Sequence, residues 1–293
     1  MCWTRGPGWV ILWAGPNESH QNYSIMEPPP QTQDTQSEAP PPPVMSLAER
    51  MTSVISAPSD AFDAVRDSPP SLANWVVPAL LLILVSWIGI AVLFSQPALS
   101  QQALEAGRQA MEKQLAKQNL PPAQAERMRQ IQEEWGPVSA KILIGVTPVF
   151  VGFAGPFIWG LFVWLLGAKA FKGGFAYMKA VEAVGLANVV VVLESVVRTL
   201  LVLCLNNVYA SPSLALLVTS GFDPQNTTHL LLSTVNVMTF WVLAVRSAGL
   251  ARLARVSFGK AAACVFGIWL TYTGVGIGLQ AASKAIMSGI QGS

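Results

Sequence analysis

The residues with the strongest chemical character in this chain lie inside an apolar run. Glu194 and Arg198 interrupt the Val/Leu-rich stretch 181–205. Four residues apart on a helix, they share a face and can form an ion pair. Each charge costs roughly 2.5–3.5 kcal/mol at the centre of a membrane-spanning helix, whereas each Val or Leu returns about 0.3–0.6 kcal/mol. Because the free energy of inserting this stretch alone is near zero, we expect it to insert beside neighbouring helices with its charged face turned inward.

Ionisable side chains at such depth in a membrane usually mark a functional site. Asn188, Asn236 and Thr199 are polar residues that could join the Glu194–Arg198 pair. Two interpretations stay open: an interhelical polar clamp that fixes packing, and a site that binds an ion or a substrate. The clamp is favoured, because a transporter more often shows matched repeats and broken helices in both halves, and five spans do not divide that way.

Catalytic and metal-binding patterns are missing from the sequence. Its two histidines, His20 and His229, leave no general base with a partner, and it contains no His-Glu-x-x-His, Gly-x-Ser-x-Gly or Walker loop. Cys2, Cys204 and Cys264 are too widely separated to indicate a disulfide framework or a metal site. We therefore expect no catalytic residue, no metal, no cofactor and no enzymatic activity.

Composition places the chain among multi-pass membrane proteins. Of its 293 residues, 52% are hydrophobic and only 12% are charged, which is far more apolar than a soluble domain of this size. The formal net charge is +2, with no basic stripe interleaved with aromatic residues, so no nucleic-acid partner is expected. The lipid bilayer is the first partner that the sequence predicts.

Five apolar stretches are long enough to cross a bilayer as helices. They lie near residues 74–95, 142–166, 181–205, 229–250 and 261–282. In the last of them, Gly274, Gly276 and Gly278 follow no strand, so they predict close helix packing rather than a dinucleotide site. The predicted fold is all-α: an integral membrane bundle of five transmembrane helices with a disordered N-terminal tail and a helical hairpin insert.

The polar parts of the chain lie at its start and after the first span. Residues 1–45 form a Pro-rich tail that cannot bury a core, either a solvated spacer or a Pro-motif ligand, and 1–25 are interpreted as a mis-called gene start. Residues 46–67 predict two short amphipathic helices, split at Pro58 and lying on the membrane surface. Residues 97–136 carry helix-spaced charge pairs and predict an exposed hairpin, a solvated face or a docking surface.

Two stretches resemble the Yip (Ypt/Rab-interacting protein) membrane family. The first is Phe171–Ala180 followed by Val184-Gly185-Leu186. The second runs from Phe222-Asp223-Pro224 to the end of the fourth span at Gly249–Arg252, with Ser257–Ala262 after it. The resemblance covers roughly residues 46–279, and it implies a membrane domain over 46–293 whose insert at 97–136 is similar to that of bacterial members.

The residues that carry the first match resemble the family's glycine, aromatic and basic start of the third span. They are Gly173, Gly174, Phe175, Tyr177 and Lys179. The resemblance implies a non-enzymatic protein that acts through contacts with other membrane proteins, a second copy of the chain included, in membrane organisation or trafficking-like processes. The alternative is a small transporter or channel that uses Glu194 and Arg198.

Eukaryotic relatives of this family contact prenylated small GTPases, and that contact is not expected here. The tail of this chain is short of their acidic-aromatic sequence, and the insert after the first span is longer than their tight loop. No GTPase-binding residue is therefore carried over from the family.

Lys and Arg residues in the short loops predict the orientation of the chain. The loops before the third and fifth spans are basic, with Lys169, Lys172, Lys179, Arg252, Arg255 and Lys260, whereas the loop between spans three and four has no Lys or Arg. Positive-inside counting places the basic loops and the N-terminus in the cytoplasm and the C-terminus outside. The expected location is a bacterial inner membrane.

Overall fold

The computed structural model describes residues 45–117, 121–224 and 226–291. The predicted gene-start segment and the predicted disordered tail, up to residue 44, lie outside the described residues. The named elements of the described part are all helices, which confirms the predicted all-α class.

Nine α-helices follow one another along the described chain. They are α1 Leu47–Ser56, α2 Pro58–Asp67, α3 Ala73–Ser95, α4 Pro97–Lys117, α5 Pro122–Trp164, α6 Tyr177–Leu205, α7 Thr227–Thr234, α8 Val237–Ala254 and α9 Phe258–Gln291. A π-helical turn, Leu165–Ala170, extends α5, and a 3₁₀ helix, Leu214–Gly221, precedes α7.

Five stretches of the described helices are long and apolar enough to span a membrane. They are Ala73–Ser95, Val138–Ala170, Tyr177–Leu205, Val237–Ala254 and Phe258–Gln280. Each corresponds to one of the five apolar stretches expected from the sequence. The predicted membrane bundle is therefore confirmed at the level of its helices.

The fourth span begins later than the sequence predicted. Residues 229–250 were expected to form one helix, but the structure has the short helix α7 followed by α8 from Val237. Asn236 separates them as the N-cap of α8, because its Oδ1 accepts a hydrogen bond of 2.8 Å from the amide of Met238. Asn is among the residues best suited to this position. The shift places Arg246 near the middle of the span instead of near its end.

The expected hairpin insert is joined to the second span. Helix α4 forms its first arm, but the second arm is the start of α5, which runs without a break from Pro122 into the membrane-spanning part. The prolines within α5 do not break it, because neighbouring groups and local adjustments can satisfy the backbone carbonyls that a proline leaves without a hydrogen bond. The second arm of the insert is therefore a helical extension of the second span.

The two amphipathic helices α1 and α2 are split at Pro58, as predicted. Their apolar faces pack against other helices of the protein. Val54, Phe62 and Val65 are completely buried in a cluster with residues of α6 and α8. The Phe62 ring lies against Gly249 of α8, where an added Cβ would be in ordinary van der Waals contact with it. The two helices are thus part of the protein core.

Helix α6 is the element around which the others pack. All residues from 179 to 190 are buried, and α6 contacts α1, α2, α3, α5 and α8. The closest approach is at Gly185, where an added Cβ would overlap the Cβ and Cα of Trp75 on α3. Because the overlap includes backbone, it cannot be relieved by a side-chain rotation.

We expect Gly185→Ala to destabilise the protein by about 1–3 kcal/mol, the usual cost of overpacking. Gly145→Ala is the matched control, because it also replaces a glycine in a membrane-spanning helix and its Cβ would have no atom within 4 Å. Thermal unfolding in detergent, followed by circular dichroism, should show a lower midpoint for Gly185→Ala alone. Equal midpoints for the two variants would contradict the close contact of α3 with α6.

Candidate functional site

Helix α6 carries two groups of polar side chains that bond to neighbouring helices. The inner cluster lies halfway along the helix and contains Glu194, Asn188, Asn236 and Arg246. The rim cluster lies at the start of α6 and contains Arg50, Asn74, Lys179 and Glu182. Both clusters join α6 to other helices.

The inner cluster links α6 to α8 and α5. Asn236 donates from Nδ2 to Glu194 Oε1 over 2.7 Å, while its Oδ1 caps α8. Arg246 donates from Nη2 to Asn188 Oδ1 over 3.2 Å, and its guanidinium lies 4.5 Å from the ring centroid of Trp159. A cation held over an indole ring is stabilised by the negative face of the ring. The charge of Arg246 is thus compensated by an amide and an aromatic face.

Arg246 takes the place that the sequence assigned to Arg198. Within the described chain the Arg198 side chain is exposed and forms no ion pair, so the predicted Glu194–Arg198 pair is wrong. Glu194 instead bonds to Asn236 and interacts electrostatically with Arg246. The Glu194 carboxylate is satisfied by Asn236, which faces it from the neighbouring helix. Arg198 lies one turn further along α6, where the helix is exposed.

Two further observations complete the inner cluster. Thr199 does not join it, because its hydroxyl donates to the carbonyl of Ser195 on its own helix at 2.9 Å. The Nε of Arg246 is buried and has no hydrogen-bond partner among the described residues. The structure thus bonds Asn236 to Glu194 and Arg246 to Asn188.

Lys179 fixes the end of α2 to the start of α6 in the rim cluster. Its Nζ donates to the carbonyls of Val65 and Ser68, each at 2.7 Å. The last carbonyls of a helix have no partner within the helix and carry partial negative charge, so a cation there is favourable. Lys179 was expected from the sequence as a basic flank of the span. The structure makes it a helix cap between two elements.

Glu182 is the most deeply buried charged residue of the rim cluster, with 1% of its surface exposed. Its Oε2 accepts a bond of 2.7 Å from Asn74 and lies 3.5 Å from the Lys179 ammonium. Arg50 extends the network by donating to Asn74 Oδ1 over 3.4 Å. The Oε1 of Glu182 has no hydrogen-bond partner in the described structure. Sequence reasoning missed this network, although the spacing of Lys179 and Glu182 is that of a helical ion pair.

Two glycines shape the loop between the π-helical turn and α6. Gly173 donates from its amide to the carbonyl of Gly167 at 2.8 Å, and an added Cβ would lie 2.8 Å from the Cα of Ala254. Gly174 has φ +70°, a left-handed conformation that favours glycine. Both positions that the sequence singled out thus have a backbone reason to be glycine.

The aromatic residues of the same loop anchor it to the bundle. The ring of Phe175 packs against Gly167, where an added Cβ would overlap it, and reaches the clusters around α6 and α8. The hydroxyl of Tyr177 donates to the carbonyl of Phe157 at 2.9 Å. The loop therefore holds the ends of α5 and α8 against the start of α6. No group of three His, Cys, Asp or Glu side chains within the described residues could hold a metal ion.

The match to a known family covers most of this architecture. The model of the Yip1 domain matches residues 52–279, which include every residue of the two clusters except Arg50. The chain belongs to the Yip1 domain family. Comparison with curated proteins and with solved structures finds no match in either set. The Yip1 domain here is a multi-pass membrane domain whose third span organises the rest.

A double-mutant cycle tests which arginine Glu194 depends on. We expect Glu194→Leu and Arg246→Leu to be coupled by about 0.5–3 kcal/mol, because either change alone leaves a charge without its counterpart inside the bundle. Glu194→Leu and Arg198→Leu should be additive, since Arg198 is exposed. Unfolding midpoints in detergent give both couplings. A larger coupling to Arg198 than to Arg246 would restore the intrahelical pair.

Proposed function

We propose that this Yip1 domain protein is not an enzyme and acts through contacts with other membrane proteins inside the bilayer. The observation that supports the proposal is the open glycine face of α9. The Cβ positions of Gly267, Gly274 and Gly278 have no atom within 4 Å, so the described helices of the chain do not use them for close packing. The expected packing of these glycines against another helix has no partner in the described part of the chain.

The spacing of the glycines fits a contact with a helix from another chain. Gly274 and Gly278 are four residues apart and Gly267 lies seven residues before Gly274, so the three share one side of α9. Small residues in this arrangement allow two membrane helices to approach closely. Large apolar side chains flank these glycines along the helix, with Tyr272 74% exposed and Leu279 67% exposed. The proposed partner is a second copy of the chain or another membrane protein with a small-residue face.

The polar clusters support a structural part in this function. We propose that the inner cluster is a packing clamp, because its carboxylate and its guanidinium both bond to amides of neighbouring helices. A transporter or channel based on Glu194 and Arg198 has less support, since Arg198 is exposed and Asn236 donates a hydrogen bond to Glu194 Oε1. Lost flux of a substrate in a correctly folded Glu194→Gln variant would favour the transporter.

Replacing the glycine face tests the protein-contact proposal. We expect the double variant Gly274→Ile and Gly278→Ile to lose most of the protein that wild type captures, because the bulky side chains hold the partner helix away. The experiment is cross-linking in native membranes followed by affinity capture, with a second, differently tagged copy of the chain co-expressed to detect self-association. The lost species identifies which kind of partner uses the face.

Gly155→Ile is the matched control for this experiment. Gly155 is also a membrane-span glycine with no atom within 4 Å of its Cβ, but it lies on α5. The control should capture partners as wild type does. Equal capture by the α9 double variant and wild type would argue against the proposed contact.

Charge and the contacts at the two ends of the bundle support an orientation in the membrane. Arg252 lies 3.3 Å from Asp63 of α2, and Lys179 bonds to Ser68, so the basic loop residues gather at the end where α1 and α2 pack. At the opposite end Gln102 of α4 donates to the carbonyl of Asn206 at 3.0 Å. We propose that the basic end faces the cytoplasm of a bacterium and that α4 begins outside.

Cysteine labelling tests this orientation. In a variant with Cys2, Cys204 and Cys264 replaced by Ser, we expect Ser220→Cys to react with an impermeant maleimide on intact cells and Ser257→Cys to stay unlabelled. Both positions are exposed, so both should react after permeabilisation. The reverse pattern on intact cells would invert the topology.

A further inference from the structure

A cleft of about 380 Å³ lies at the basic end of the bundle, between α2, the end of α8 and the start of α9. Its residues divide into two kinds. Its polar lining consists of Ser59 and three arginines, Arg66, Arg252 and Arg255. Its apolar lining includes Ala248 and Ala251 of α8 and Phe258, the first residue of α9. Neither polar cluster on α6 shares a residue with this cleft.

The arginines of the cleft are not all used by the fold. Arg66 bonds to Asp63 at 2.6 Å and to Asp67 at 2.8 Å, and Arg252 lies 3.3 Å from Asp63. The hydrogen bond from Arg66 lowers the pKa of Asp67, so this carboxylate stays ionised. Three guanidiniums therefore face two carboxylates, and one positive charge is left over.

Arg255 is the arginine with free donors. Its side chain is exposed, and its guanidinium interacts electrostatically with Asp67 but donates no hydrogen bond among the described residues. Its backbone ends α8 in a left-handed conformation with φ 55° and ψ 43°. Only glycine and a few other residue types adopt that conformation without cost, so the position of Arg255 is not explained by backbone preference.

The start of α9 adds to the positive potential of the cleft. The first amides of a helix have no partner within it and carry partial positive charge, which favours an anion. Phe258 places this helix start beside the arginines. Guanidinium groups bind phosphate through paired, parallel hydrogen bonds, which a single ammonium cannot form. The cleft thus combines several features of a phosphate site.

The apolar lining of the cleft indicates what the phosphate is attached to. Arg252 lies in the last turn of one candidate membrane-spanning helix, and Phe258 begins the next. The ends of such helices are the level at which lipid headgroups meet the hydrocarbon region. Phe258 is 53% exposed and presents an apolar ring at this level. We propose that the cleft binds the phosphate of an anionic phospholipid, with the lipid chains lying along the apolar lining.

Titration of the purified full-length protein with short-chain lipids, followed by native mass spectrometry, tests the proposal. We expect phosphatidylglycerol to bind more tightly than phosphatidylcholine, and Arg255→Gln to weaken phosphatidylglycerol about five-fold, the usual effect of one basic residue at an anionic membrane. Arg198→Gln is the matched control, because it removes another exposed arginine without an ion pair and should keep wild-type binding.

A second variant and a soluble probe separate the remaining outcomes. Arg255→Lys keeps the charge but loses the forked donor geometry, so it should bind phosphatidylglycerol between wild type and Arg255→Gln, and it decides the question if Arg255→Gln does not fold. Glycerol phosphate, which carries the headgroup chemistry without lipid chains, should bind far more weakly than the lipid. Equal binding of the two lipids, equal loss in Arg198→Gln, or glycerol phosphate binding as tightly as the lipid would each overturn the proposal.

Discussion

The buried ammonium of Lys179 is the interaction on which the arrangement of the bundle depends. A lysine that is 8% exposed keeps its charge only if nearby groups replace the lost water. Here the carbonyls at the end of α2 and the carboxylate of Glu182 do so, and Asn74 of α3 satisfies the same carboxylate. Three helices are therefore fixed at one point, since removing any of them would leave a buried charge without its partner.

The polar groups of α6 follow the change of burial along that helix. From Lys179 to Val190 every residue is buried, Glu194 is half-buried, and Arg198 is exposed. Glu182 and Glu194 each lie where another helix supplies an amide, so each fixes the rotation of α6 at a different level of the bundle. Between them, the small residue Gly185 allows α3 to approach closely. Rotation of α6 would break both polar contacts and create a clash.

The sequence predicted the five spans well, because hydropathy averaged over many residues does not depend on packing. It could not predict the helix partners. Glu194 and Arg198 share a helix face, but spacing along one helix does not tell which face meets which neighbour, so Arg246 was missed. Arg246 was placed near the end of a span because the apolar residues of α7 and α8 form one stretch in the sequence. The structure divides this stretch at Asn236, which caps α8. The apolar faces of α1 and α2 were recognised, but the pattern does not distinguish lipid from protein.

The sequence also does not show which span glycines are enclosed by a neighbouring helix. The glycines of α9 belong to the same helix as the proposed lipid site, so they connect the protein-contact proposal with the lipid proposal. Gly185 is enclosed by α3, whereas Gly274 and Gly278 face open space, although all three are membrane-span glycines in the sequence. Helix α9 begins at the arginine cleft and carries the open glycines Gly267, Gly274 and Gly278 further along. At 1.5 Å per residue, Phe258 lies about 14 Å from Gly267 and about 24 Å from Gly274 along the helix. Glycine carries no charge, so a change of charge at Arg255 has no charged group to act on at the glycine face. The lipid site and the protein contact can therefore fail independently, even though one rigid helix carries both.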